Sequence, residues 1–168
     1  MAIQLTADDA KQSLLGHVES KGHEIHLKYG PLLGWSQLQR LLNDRIYVRY
    51  PCEIIFDASG LQPGEFAHPI AKGDNPIDGF IMTVHPLFEQ QLDLVPALVL
   101  YQMVSVNYGE FASSEEAETF GAAALGITRD EYYAMLCELS DDLGSEEASL
   151  DPKNESKCHG GGSCDCHN

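Results

Sequence analysis

A chain of 168 residues with 10 Lys and Arg against 26 Asp and Glu carries a net charge of −16 at pH 7 and is long enough for one domain with a real core. At 43% hydrophobic and 21% charged it is too apolar to be wholly disordered, and its acidity makes nucleic acid and anionic membrane surfaces poor partners. The longest apolar stretch, Val95 to Val106, is too short to span a bilayer, and MAIQLTADDAKQ does not read as a leader, so a soluble, cytoplasmic domain is expected.

Thr6 with Asp9 imitates a capping box, and Ala10, Leu14, Leu15 and Val18 recur at helical spacing, which predicts an opening helix. Gly22 then allows a break. His23 to Tyr29 alternates, with Ile25, Leu27 and Tyr29 on one face, and predicts a strand. Ser36, Gln39 and the Leu38, Leu41 and Leu42 stripe predict a second helix. Ile46 to Tyr50 and Cys52 to Phe56 read as strand material, with Pro51 marking an edge, a bulge or a corner. Ser59-Gly60 and Pro63-Gly64 are turn signals, and Gly79 to Val84 is a further strand.

From Pro86 the pattern becomes helical: Pro86 to about Leu92, Pro96 to about Asn107 with Gly109 as a stop, and Glu115 to Leu125 ended by Gly126. Thr128 and Glu131 cap a last helix bearing Tyr132, Tyr133, Leu136, Cys137 and Leu139. Strands early and helices late predict an α+β domain over residues 1–144, with a small, mostly antiparallel sheet. The acidity belongs to the second half. Residues 1–72 hold 8 acidic and 7 basic residues, whereas 73–144 hold 13 acidic residues and one base, Arg129.

Residues 145–157 have almost no apolar content and read as a flexible linker. It leads to Cys158-His-Gly-Gly-Gly-Ser-Cys-Asp-Cys-His-Asn168, read as a disordered tail that carries the sharpest chemical signal. Cys158, His159, Cys164, Cys166 and His167 are thiolate and imidazole ligands of the kind that zinc, nickel and copper take from proteins. Cys164 and Cys166 are two apart, so an extended backbone turns both sulfurs to one side. Gly160 to Gly162 let Cys158 and His159 fold back over them. The tail is similar in composition to the Cys/His-rich C-terminal tails of bacterial nickel-handling proline isomerases, over about 11 residues. That resemblance implies metal handling and nothing about the domain.

Within the domain, His23 and His26 would face opposite sides of a strand, and with His17 they read as surface histidines. Glu65, His68 and His85 flank turns, where with Asp57 they could converge into a site. Cys52, Cys137 and Trp35 read as core. Ala122 to Thr128 with the helix after it looks like a helix-turn-helix. Five acids over residues 129–142 argue for an αα-hairpin instead.

Leu100 to Gly109 followed by Ser114 to Leu125 resembles the two helices of short zincin metallopeptidases, which carry HExxH and then an acidic third ligand. Here Tyr101, Gln102 and Ser105 stand in the HExxH positions, and Ser114, beside Glu115, stands in the third. The resemblance implies at most a degenerate relative without the metal or its activated water.

The combined expectation is a non-enzymatic metal-handling or accessory protein. Its domain docks to a protein partner and its tail binds the metal. The contrasting readings are an acidic protein–protein interaction module without a metal, and a small hydrolase using Glu65, His68 or His85.

Overall fold

Thr6 and Asp9 close a reciprocal cap in the computed structural model, which describes residues 6–149. The Thr6 hydroxyl accepts from the Asp9 N–H at 3.2 Å, and the Asp9 carboxylate accepts from the Thr6 N–H at 2.9 Å. Helix α1, Ala7–Tyr29, follows, and buries Val18, Gly22, Ile25 and Tyr29 as one helical stripe. The strand expected over 23–29 is therefore part of this helix. Ile25 and Tyr29 do share a face, but one helical turn apart, while Leu27 is 83% exposed. Gly22 does not break the helix; it lies where α1 meets a later one.

Helix α2, Trp35–Leu42, buries Leu38, Leu41 and Leu42 as expected. Residues 46–50 form turns instead of the expected strand. The Asp44 carbonyl accepts from the N–H groups of Tyr47 at 3.1 Å and Val48 at 2.9 Å. The Asp44 carboxylate accepts from the Ile46 N–H at 3.1 Å, and Arg49 N–H donates to Asn107 Oδ1 at 2.9 Å. These donors are not free for a ladder, and Ile46 is 65% exposed. Buried Asn107 also donates to the Tyr47 carbonyl at 2.7 Å, stitching this turn to the helical half.

Strands β1 (Cys52–Phe56), β2 (Ala67–Ala71) and β3 (Phe80–Val84) form a sheet in the order β1-β3-β2. β1 pairs with β3 in parallel and β2 with β3 antiparallel, so the sheet is mixed, where mostly antiparallel pairing was expected. β2 has no counterpart among the expected strands because Pro69 sits in its middle. A proline is tolerated there because β2 is an edge strand. Pro51 marks the corner before β1, its carbonyl accepting from the Phe80 N–H at 2.7 Å. Met82, Val84 and Ala67 face the core, while Ile55, Thr83 and His68 form a cross-strand row on the other face.

The stretch expected as a helix to Leu92 is a 3-10 turn, Pro86–Gln90. Helix α3, Val95–Tyr108, is buried on nearly every side and runs between the sheet and helix α4, Ser114–Leu125. α1 packs chiefly on α4. Gly126, at φ +72°, turns the chain into α5, Arg129–Ser149, giving the expected αα-hairpin. α5 passes the expected boundary at Gly144 by a full turn, so the first residues of the expected linker are helical. The rest of that linker, with Cys158, His159, Cys164, Cys166 and His167, lies outside the described residues. The α+β architecture, with a small sheet in the first half and helices in the second, is as expected.

At the start of α4, Glu116 is 1% exposed and its Oε2 accepts from the Ser113 N–H at 2.7 Å and from the Ser113 hydroxyl. Burial works to raise its pKa, but the two bonds from Ser113 outweigh it and leave the carboxyl below the ordinary 4.5. Its stabilisation is therefore present above that pH and is lost as the folded carboxylate takes up a proton in acid. Glu116→Gln is expected to cost about 1 kcal/mol at pH 7, with the gap to the parent shrinking below about pH 4.5. Urea midpoints at pH 7 and pH 3 measure this; an equal gap at both would exclude a role for the charge.

Candidate functional site: a carboxylate–histidine pair beside helix α5

The loop between β1 and β2 is built from local turns. Asp57 accepts from the Ser59 hydroxyl at 2.6 Å and the Ser59 N–H at 3.0 Å, and these bonds hold its carboxyl below the usual range. Glu65 N–H donates to the Gln62 carbonyl at 2.9 Å, and Gln62 N–H donates back to Glu65 Oε2 at 2.9 Å. One carboxylate oxygen is thus fixed by the turn. The other, Oε1, lies 3.1 Å from His68 Nδ1.

β2 begins at Ala67, which is buried, so strand alternation places His68 on the outer face of the sheet. Thr83 Oγ1 donates to the His68 carbonyl at 2.7 Å and steadies that backbone position. The His68 side chain is half exposed. From the other side, Ser140 Oγ of α5 donates to the Gly64 carbonyl at 3.1 Å, fastening the helix to the turn that precedes Glu65. A carboxylate on Nδ1 leaves Nε2 directed away from it, the arrangement that orients imidazole as a metal ligand or a base.

Of the expected set, the structure pairs the Glu65 and His68 side chains, while those of Asp57 and His85 bond elsewhere, although the His85 N–H donates to the Phe66 carbonyl at 2.9 Å. Asp57 serves its own turn. His85 Nδ1 accepts from the Leu87 N–H at 3.3 Å, capping the Pro86–Gln90 turn. Two groups do not make a metal centre. Among the described residues there is no group of three or more His, Cys, Asp or Glu that could hold an ion.

No family model, curated protein or solved structure matches the chain.

The other candidates resolve into structural roles. His17 meets Tyr108 edge to face at 5.7 Å, His23 is exposed, and the His26 ring packs against Gly126 with Nδ1 buried and unbonded. Burial pushes the Cys52 thiol up to about 11, so it stays protonated at neutral pH. Trp35 packs beside Phe56 at 6.1 Å. On α3, Tyr101 is half-buried and Ser105 exposed, while Ser114 opens α4 and Glu115 pairs with Lys11 and Arg129 at 3.3 Å each. The zincin-like positions are therefore not occupied by a converging ligand set.

A cavity of about 180 Å³ between α3, α4 and α5 was not anticipated. Phe66, Tyr101, Glu118, Tyr133, Leu136, Cys137 and Ser140 line it. Glu118 is buried and accepts from Arg129 Nε at 2.8 Å. A signal was present: Arg129 is the one base in residues 73–144, so an acid of the preceding helix was its natural partner. The volume is well under the roughly 300 Å³ at which ligand pockets begin, and Arg129 already neutralises the carboxylate, so this is a helix-packing cleft.

Proposed function

We propose that this chain is a non-enzymatic metal-handling accessory protein. It binds zinc, nickel or copper through Cys158, His159, Cys164, Cys166 and His167 and docks to a protein partner through its domain. The observation that carries this reading is the density of thiol and imidazole ligands in the last eleven residues. Delivery would proceed by ligand exchange, with the tether holding the metal at high local concentration beside a docked partner. A cytoplasmic location belongs to the same reading, since a reducing compartment keeps the thiols available.

Because α5 runs to Ser149, the informative truncation ends there and leaves that helix whole. Elemental analysis of reduced protein after zinc, nickel or copper loading is expected to find about one equivalent in the full chain and none above background in the truncated one. Equal metal in both would overturn the assignment to the tail.

The interaction-module reading has its own support. Arg129 is bridged to Glu115 and Glu118, while Asp130, Glu138, Asp141 and Asp142 of α5 are exposed. This acidic surface suits a basic protein face and makes partner capture salt-dependent. No described helix is long and apolar enough to cross a membrane.

A further inference from the structure

We propose that the cleft between the C-terminal end of α3 and the start of β3 binds a small organic monocarboxylate with an aromatic or alkyl body. This is independent of metal binding by the tail. The cleft has a volume of about 550 Å³, inside the roughly 300–1,000 Å³ of small-molecule sites. Leu14 of α1, Tyr50, Phe80 of β3, Tyr108 of α3 and Phe111 line it, and Arg49 is the one charged side chain among its described lining residues. The Tyr50 and Phe80 rings meet at 6.1 Å, tilted by 44°, and Phe111 leaves its ring 90% exposed. Four rings from separate segments thus converge beside one guanidinium, and an apolar body laid against them removes their area from water.

Arg49 is held in place and its charge is left unmatched. Its backbone N–H donates to Asn107 Oδ1 at 2.9 Å, and Asn107, 5% exposed, is itself fixed through Nδ2 on the Tyr47 carbonyl at 2.7 Å. Arg49 Nη1 donates to the Asn107 carbonyl at 3.4 Å, and the guanidinium lies over the Tyr108 ring, 5.1 Å from its centre. These contacts seat the fork on the cleft wall and leave most of its N–H donors without a partner among the described residues. No carboxylate among those residues pairs with it, so an incoming carboxylate displaces no internal ion pair. The ligand's charge follows from this balance. One planar guanidinium matches one carboxylate through paired N–H donors, whereas a dianion would keep an unmatched charge beside a chain of net −16. The rings set the remainder of the ligand, since an anion without an apolar body gains nothing from them. Because the guanidinium is already seated, binding orders little of the protein.

The test titrates the reduced full-length chain with phenylpropionate, with phenylpropanol as its uncharged analogue and acetate as the anion without a body. Calorimetry and amide NMR are expected to show saturable one-to-one binding of phenylpropionate, with shifts concentrated on Arg49, Phe80, Tyr108 and Phe111. Phenylpropanol is expected to bind about fivefold more weakly, and acetate not to saturate. Arg49→Gln should bring phenylpropionate down to the level of phenylpropanol and leave phenylpropanol within twofold of the parent. Its thermal midpoint should hold, because the bond to Asn107 Oδ1 comes from the backbone. Phe111→Ser, at an exposed position, should weaken both aromatic probes alike. Equal binding of the two by the parent, parental affinity in Arg49→Gln, or no saturation by phenylpropionate below roughly 10 mM would each overturn the inference. A parent that sediments as a dimer beside a monomeric Phe111→Ser would give the cleft to a second copy and reject the ligand site.

Discussion

Gly22→Ala is expected to destabilise the protein by about 2–3 kcal/mol, lowering the thermal midpoint by about 5–10 °C. Helix propensity alone predicts the opposite, a gain of about 1 kcal/mol for alanine inside a helix. The packing decides. A Cβ at Gly22 would stand 2.6 Å from Ala123 Cβ, 2.7 Å from the Phe120 carbonyl oxygen and 3.1 Å from the Ala124 amide nitrogen. Two of these are backbone atoms of α4, which no side-chain rotation can move, so α1 and α4 would have to separate. Those helices make the most extensive contact in the molecule, and their separation would loosen the packing around Val18 and Ile25. Gly16→Ala is the control on the same helix. Nothing lies within 4 Å of a Cβ there, and it should stabilise by roughly 0.5–1 kcal/mol. Chemical denaturation of both variants measures the contrast; equal effects would show that the crossing at Gly22 does not limit stability.

The same residue shows why part of the fold was legible in sequence and part was not. Caps are local, three residues apart, and Thr6 with Asp9 and Thr128 with Glu131 form as their spacing predicts. Gly22 carries no local sign that distinguishes a helix stop from a close crossing, since the difference lies in Phe120 and Ala123, about a hundred residues away. Ile25, Leu27 and Tyr29 satisfy a strand's alternation, yet Ile25 and Tyr29 also satisfy a helix's four-residue spacing, and only burial separates the two. β2 is hidden for a different reason. Pro69 argues against a strand unless it is known to be an edge, and that follows from β3 entering the middle of the sheet.

The site divides in the same manner. The tail ligands are adjacent in sequence and so are readable without a fold. Glu65 and His68 are only three residues apart, and their meeting depends on the Gln62 turn holding one carboxylate oxygen while β2 sets the ring's side. His85 has the same composition cue and a different fate, because its Nδ1 faces an N–H of the turn that follows it. Residue type nominates such groups; the neighbouring backbone donors assign them.

Gly121→Ala should be comparably damaging, at about 3 kcal/mol, through a side chain in place of a backbone. A Cβ at Gly121 would fall 2.3 Å from Tyr132 Cε1 and Cζ and 2.4 Å from its hydroxyl. Tyr132 is fully buried and donates from that hydroxyl to the Ala97 carbonyl at 2.6 Å, so the ring cannot retreat without breaking a buried bond. Burial also holds its phenol well above the usual tyrosine range, so it remains a donor at neutral pH. Because the obstacle is one ring, the cost should depend on it. Tyr132→Leu alone should cost roughly 2–3 kcal/mol from lost packing and the lost bond from the Tyr132 hydroxyl to the Ala97 carbonyl. Adding Gly121→Ala to it should then cost clearly less than adding it to the parent, a coupling of about 1–2 kcal/mol in a double-mutant cycle. Additive costs would mean that α4 and α5 are held apart by something other than this contact. A strong coupling would identify Gly121 and Tyr132 as the contact that seats α5, and hence as what sets the position of Ser140 against Gly64 beside Glu65 and His68.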